Sequence, residues 1–156
     1  MGGKLGTIWS RAGHEVVFSY ARGKTKLKKL ARDAGGNAWA GTPAEAARDA
    51  DALLLAVPWS RVEDVLKQAG DASGEVIVTC SLPMNADDTD LVIAHTASGA
   101  EALAKMTPRA PVVSPFNTVP SEVLFGGSAN CRMKRLTLRS SLTTDGRAAA
   151  SRRATG

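Results

Sequence analysis

Ala52-Leu53-Leu54-Leu55-Ala56-Val57 is an apolar run without a polar interruption, closed by Pro58-Trp59-Ser60. A strand with one face in water alternates apolar and polar residues, whereas an unbroken run bounded by turn residues suits a parallel strand covered on both faces. Downstream, Val62, Val65 and Leu66 share one face of a helix that ends near Gly70. Glu75-Val76-Ile77-Val78-Thr79 reads as the next strand, Ser98 to Met106 as a helix, and Val112-Val113-Ser114 as the last clear strand. Upstream, Thr42-Pro43-Ala44-Glu45 is a helix start, with Thr42 as cap, Pro43 at the first helical position and Glu45 completing a capping box. Thr25 to Ala34 forms a further helix, with Leu27, Leu30 and Ala31 inward and Lys24, Lys26, Lys28 and Lys29 outward, stopped by Gly35-Gly36. Before it come a strand at Glu15 to Ser19, a basic turn at Arg22 to Lys24, and a helix from Leu5 to Ala12 striped by Leu5, Ile8 and Trp9. Strands alternating with helices of about ten residues predict an α/β fold built on a doubly wound parallel sheet.

The chain has 156 residues, of which 44% are hydrophobic and 22% charged, proportions of a single globular domain. No apolar run is long enough to span a bilayer and no leader is evident, so the expectation is a cytoplasmic protein without a membrane partner. Cys80 and Cys131 make no metal pattern and read as reduced bystanders. The net charge of +5 is unevenly spread. Residues 1–126 carry thirteen Lys and Arg against fourteen Asp and Glu, whereas residues 127–156 carry seven bases against Asp145 alone. That last segment has only Met133, Leu136, Leu138 and Leu142 as large apolar side chains, too few for a core. The predicted organisation is therefore a domain over 1–126 and a disordered basic tail over 127–156. The tail has no aromatic to stack on bases, which argues against nucleic acid as a partner.

In doubly wound sheets ligands lie at the carboxyl ends of the strands. A dinucleotide site usually places an acid after its second strand to hold the ribose hydroxyls. Here that position holds Ser19-Tyr20-Ala21-Arg22, followed by Lys24 and Lys26. A hydroxyl among cations suits a 2′-phosphate, so the residues favour NADP over NAD. The same lysines also fit a solvated helix face. Met1-Gly2-Gly3 enters a helix with no strand before it, so only the last glycine of a G-x-G-x-x-G loop could be present, as Gly2. His14, His95 and the Asp87, Asp88, Asp90 run read as solvent-facing groups, and no catalytic acid, base or metal ligand is expected.

The segments Trp9 to Ser19, Ala40-Gly41-Thr42-Pro43-Ala44-Glu45-Ala46, Ala56-Val57-Pro58-Trp59, Asn85-Ala86-Asp87 and Phe116-Asn117-Thr118-Val119-Pro120 together resemble the NADPH-dependent reductases of the deazaflavin coenzyme F420. The resemblance covers about residues 2 to 126 and implies a Rossmann-like fold, NADP as cofactor and coenzyme F420 as co-substrate, with a homodimer left open. It implies that Gly2 and Gly3 lie at the pyrophosphate, and Ser19, Arg22 and Lys24 near the 2′-phosphate. It also implies that Ala56, Val57, Pro58 and Trp59 line the nicotinamide side, and that Asn117 and Thr118 floor the deazaflavin pocket. Two departures stand out. The first strand of such folds is lacking, and after Pro120 the resemblance gives way to the Arg, Ala, Ser and Thr of the tail, as in a truncated or frameshifted copy. The alternatives are reduction of a flavin, an imine or a metal ion by NADPH, and a nucleotide-binding fragment without catalysis.

Overall fold

The computed structural model describes residues 1–21, 23–116, 119–120 and 122–126. Five strands and six helices alternate in order: α1 (Gly2–Arg11), β1 (Val16–Phe18), α2 (Lys24–Ala34), β2 (Ala38–Ala40), α3 (Pro43–Ala47), β3 (Ala52–Leu55), α4 (Val62–Ala69), β4 (Val76–Thr79), α5 (Gly99–Met106), β5 (Val112–Val113) and α6 (Val123–Gly126). All strand pairings are parallel, as the unbroken apolar runs require. The expected tail over 127–156 lies outside the described residues.

The strands form two sheets, β1-β2 and β3-β4-β5, where the alternation alone predicted one. Among the described residues no strand pairs with the other edge of β1 or of β3. In a doubly wound order the position between two such edges belongs to one further parallel strand. Helix α1 crosses this gap. A Cβ at Gly6 would lie 2.4 Å from Cε1 of Phe18 at the end of β1, and one at Gly2 would lie 2.8 Å from Cβ of Ala56 just beyond β3.

The core is divided in the same way. Leu55, Val62, Val65, Ala72, Ile77, Leu103 and Ala110 pack around the three-stranded sheet, with Ile77 and Leu103 fully buried. Phe18, Ala31 and Ala34 form a smaller cluster over β1 and β2, supported by Leu27 and Leu30 of α2. Tyr20, which follows β1, packs on the larger cluster and so ties the two halves.

The capping box expected at Thr42 forms, and the structure adds a second at Ser98. Thr42 Oγ1 accepts from Glu45 N–H at 3.2 Å while Glu45 accepts from Thr42 N–H at 2.7 Å, and Ser98 and Glu101 repeat the arrangement at the start of α5. Strand β2 was not foreseen, since Ala38-Trp39-Ala40 is short and two-thirds alanine; its pairing with Val16, Val17 and Phe18 makes it a strand. Strand β3 stops at Leu55, opposite Thr79, leaving Ala56 and Val57 in the loop.

Candidate functional site

The carboxyl ends of β3 and β4 lie side by side and open into a cavity of about 380 Å³. From the loop after β3 it is lined by Ala56, Val57, Pro58 and Trp59. From the loop after β4 come Cys80, Ser81, Leu82, Met84 and Asp88, and Met1 closes it from the start of α1. Parallel strands bring their following loops to one end of the sheet, which is why two segments more than twenty residues apart in sequence meet here.

Hydrogen bonds to the end of β3 hold the two loops together. Cys80 N–H donates to the Leu55 carbonyl at 3.1 Å. The buried Ser81 hydroxyl donates to Val57 O at 2.7 Å and also faces Leu55 O at 3.3 Å. Ser81 N–H in turn donates to Thr79 Oγ1 at 3.1 Å. The cavity wall is therefore fixed by backbone carbonyls and two small hydroxyl side chains. Trp59 packs on the larger core and stands near the start of α5, where a Cβ at Gly99 would lie 3.5 Å from its Cζ3. Burial pushes the Cys80 thiol above its ordinary range, so at neutral pH it lines the site as a neutral, weakly polar group.

Helix α1 starts at the cavity. Its cap residue Met1 makes no side-chain capping bond, and no acid stands in its first turn. Its leading N–H groups and positive dipole end are suited to an anion. Gly2 permits the close approach to Ala56, whereas Gly3 serves packing against α2, since a Cβ there would lie 3.2 Å from Leu30 Cδ1.

Of the residues expected from the sequence, Ala56, Val57, Pro58 and Trp59 are thus brought together with Gly2 beside them. Ser19 is half-buried after β1 and Lys24 is exposed as the first residue of α2; neither lines the cavity. Arg22, Asn117 and Thr118 lie outside the described residues. His14 and His95 are exposed. Sequence reasoning pointed to the loop Cys80 to Pro83 as lying at a carboxyl end without assigning its residues a role, and did not nominate Met1, Ser81, Leu82, Met84 or Asp88 as lining groups. For the last four the signal was weak, because Asn85-Ala86-Asp87 marks a family likeness in this loop but nothing local says which of its neighbours face the cavity. It also missed Tyr20, which sits at φ 56° and whose hydroxyl donates to Asp64 Oδ2 at 2.5 Å, pinning the loop after β1 to α4. That bond from Tyr20, with a second from Gln68, holds the Asp64 carboxyl below its usual range.

Residues 1–83 match the profile of a family described as NADP oxidoreductase coenzyme F420-dependent. A solved protein of Sinorhizobium meliloti, the hypothetical protein SMa0349, is 26% identical and superposes with a TM-score of 0.68 over 79% of this chain and 60% of its own. A protein of Arthrobacter sp. FB24, described as an F420-dependent NADP-reductase, is 20% identical, with a TM-score of 0.69 over 78% of this chain and 60% of its own. The chain thus spans about three fifths of the length of either. These likenesses agree with the Rossmann-like α/β fold. No curated protein matches the sequence. No helix among the described residues is long and apolar enough to cross a membrane.

Proposed function

Since the chain belongs to the family of F420-dependent NADP oxidoreductases, we propose that it binds NADP across the start of α1 and promotes hydride exchange between NADPH and a deazaflavin. One observation carries the reading: an uncapped helix start, packed through Gly2 onto Ala56, stands beside a cavity at the carboxyl ends of two parallel strands. This combination suits a dinucleotide, with a phosphate at the helix and a flat ring in the cavity.

When bound, NADPH supplies a hydride from its nicotinamide and the deazaflavin accepts it. The work of this chain is then to bind, orient and exclude water. The N–H groups at Gly2 and Gly3 would hold the pyrophosphate. Ser19, Arg22 and Lys24 would hold the 2′-phosphate, a preference carried by their hydroxyl and charge and by the lack of an acid in the first turn of α2. Ala56, Val57, Pro58 and Trp59 would orient the nicotinamide in a mostly apolar wall, and Asn117 and Thr118 would meet the deazaflavin. The hydride would pass directly between the two rings and the proton that completes reduction of the deazaflavin would come from solvent, so no side chain is assigned a proton transfer.

Calorimetric titration with NADPH and with NADH tests the reading. The expected result is saturable NADPH binding with NADH roughly tenfold or more weaker, as the loss of one or two charge-assisted hydrogen bonds implies. Lys24→Glu should weaken NADPH and leave NADH almost unchanged. Equal binding of the two, or none by a folded protein, would overturn the proposal. If NADPH binds but a deazaflavin is not reduced while a flavin or an imine is, the cofactor reading stands and the co-substrate is corrected.

A further inference from the structure

The loop after β4 folds back on itself to form the outer wall of the cavity. Val92 N–H donates to Pro83 O at 2.7 Å, Met84 and Leu91 form an antiparallel bridge, and Asn85 N–H donates to Asp90 O at 2.8 Å. The Asn85 side chain closes the turn by accepting from Thr89 N–H at 2.9 Å. This built loop turns two features toward its surface, although the Asp90 carboxylate also accepts from Thr89 Oγ1 at 3.4 Å. Leu82, Leu91 and Val92 are left 45%, 53% and 55% exposed, an unusual grouping of large apolar side chains on one short loop. Beside them Asp87, Asp88 and Asp90 are exposed, and no Lys or Arg occurs between Cys80 and Lys105 to offset them.

We propose that residues 132–142 of the same chain dock against this loop, their cations on its three carboxylates and their apolar side chains on Leu82, Leu91 and Val92. The complementarity is of both kinds. Residues 132–142 hold Arg132, Lys134, Arg135 and Arg139 with no acid, interleaved with Met133, Leu136, Leu138 and Leu142. Opposite charge steers the segment to the loop, and burial of the exposed apolar side chains retains it. The reach suffices. The described chain ends at α6, which packs against α1, and α1 begins at the cavity that Leu82, Met84 and Asp88 line. Helix α1 is about 15 Å long, and the six residues from Gly126 to Arg132 span up to roughly 20 Å when extended. Docking there places a basic segment along the outer wall of the cavity, a consequence that holds whichever cofactor the cavity takes.

Limited trypsin digestion of the full chain, followed by mass spectrometry, tests this. Cleavage after Arg132, Lys134, Arg135 and Arg139 should run roughly tenfold slower than after Arg147, Arg152 and Arg153, which serve as internal controls, since a bound segment is cut only in its released fraction. Protection should fall in about 0.5 M salt, where exposed charge pairs are screened, and in Leu91→Ser. Carbodiimide coupling of the unmodified chain should join Lys134 to Asp87, Asp88 or Asp90. Equal cleavage rates across all seven sites, or coupling of Lys134 only to carboxylates elsewhere, would overturn the proposal. Protection that appears only as protein concentration rises would replace the same chain with a second copy as the source of the segment, and would overturn it too.

Discussion

At the residue scale, close packing between α1 and β1 leaves one position room for glycine alone. Gly6 has no room for a methyl group: its Cβ would fall 2.4 Å from Cε1 and 2.8 Å from Cζ of Phe18, inside the smaller core. Gly6→Ala should therefore destabilise the protein by about 1–3 kcal/mol through overpacking. Urea unfolding would measure it. Phe18→Leu should recover part of the loss in the double variant, and a purely additive cycle would show that the ring is not the obstacle. Gly2 was nominated as a site glycine through the family resemblance, since a glycine pair at a helix start carries no signal by itself. Gly6 was not, because only the position of Phe18 on a neighbouring strand makes a side chain there costly.

At the element scale, the local signals were strong where a helix begins. Thr42 with Glu45 and Ser98 with Glu101 are short-range patterns whose partners lie three residues apart, so the sequence contains the whole interaction. Thr42→Ala should cost about 0.5–2 kcal/mol, read as a lower midpoint in thermal or urea unfolding. The same box carries a pH dependence. Backbone and side-chain hydrogen bonds from Thr42 hold the Glu45 carboxyl below its usual range, and those from Ser98 do the same for Glu101. A depressed carboxyl pKa adds stability that is present above the unfolded value and lost as pH falls through the folded one. The destabilisation by Thr42→Ala should therefore shrink on acidification below about pH 4, and a gap between the two midpoints that stays constant to pH 3 would contradict this account. Strand β2 had no comparable signal. Its Trp39 is exposed and donates Nε1–H to Glu15 at 3.0 Å, so its anchoring comes from across the sheet.

At the scale of the whole molecule, the two parallel sheets leave the outer edge of β3 and one edge of β1 without a strand among the described residues, while α1 spans from one sheet to the other. Backbone groups along such edges are a standing cost and a template for pairing. A stretch of about five β-branched residues placed ahead of Met1 should pair in parallel with both edges and raise the midpoint of thermal unfolding by several degrees, as a gain of about 1 kcal/mol would in a domain of this size. An unchanged midpoint would mean that the gap does not admit a strand. The sequence by itself determined the alternation of strands and helices, the parallel character of the sheet through Ala52 to Val57 and the capped helix start at Thr42, because each is written in periodicity or in partners a few residues apart, whereas the Ala56 to Trp59 wall was expected through the family resemblance. Only the tertiary structure decided that β2 is a strand, that the sheet is split, that Gly6 must be glycine, and that Met1, Cys80, Ser81 and Asp88 meet Trp59 around one cavity. Those features depend on contacts between distant segments, and the distance across a sheet is set by packing, which no local pattern records.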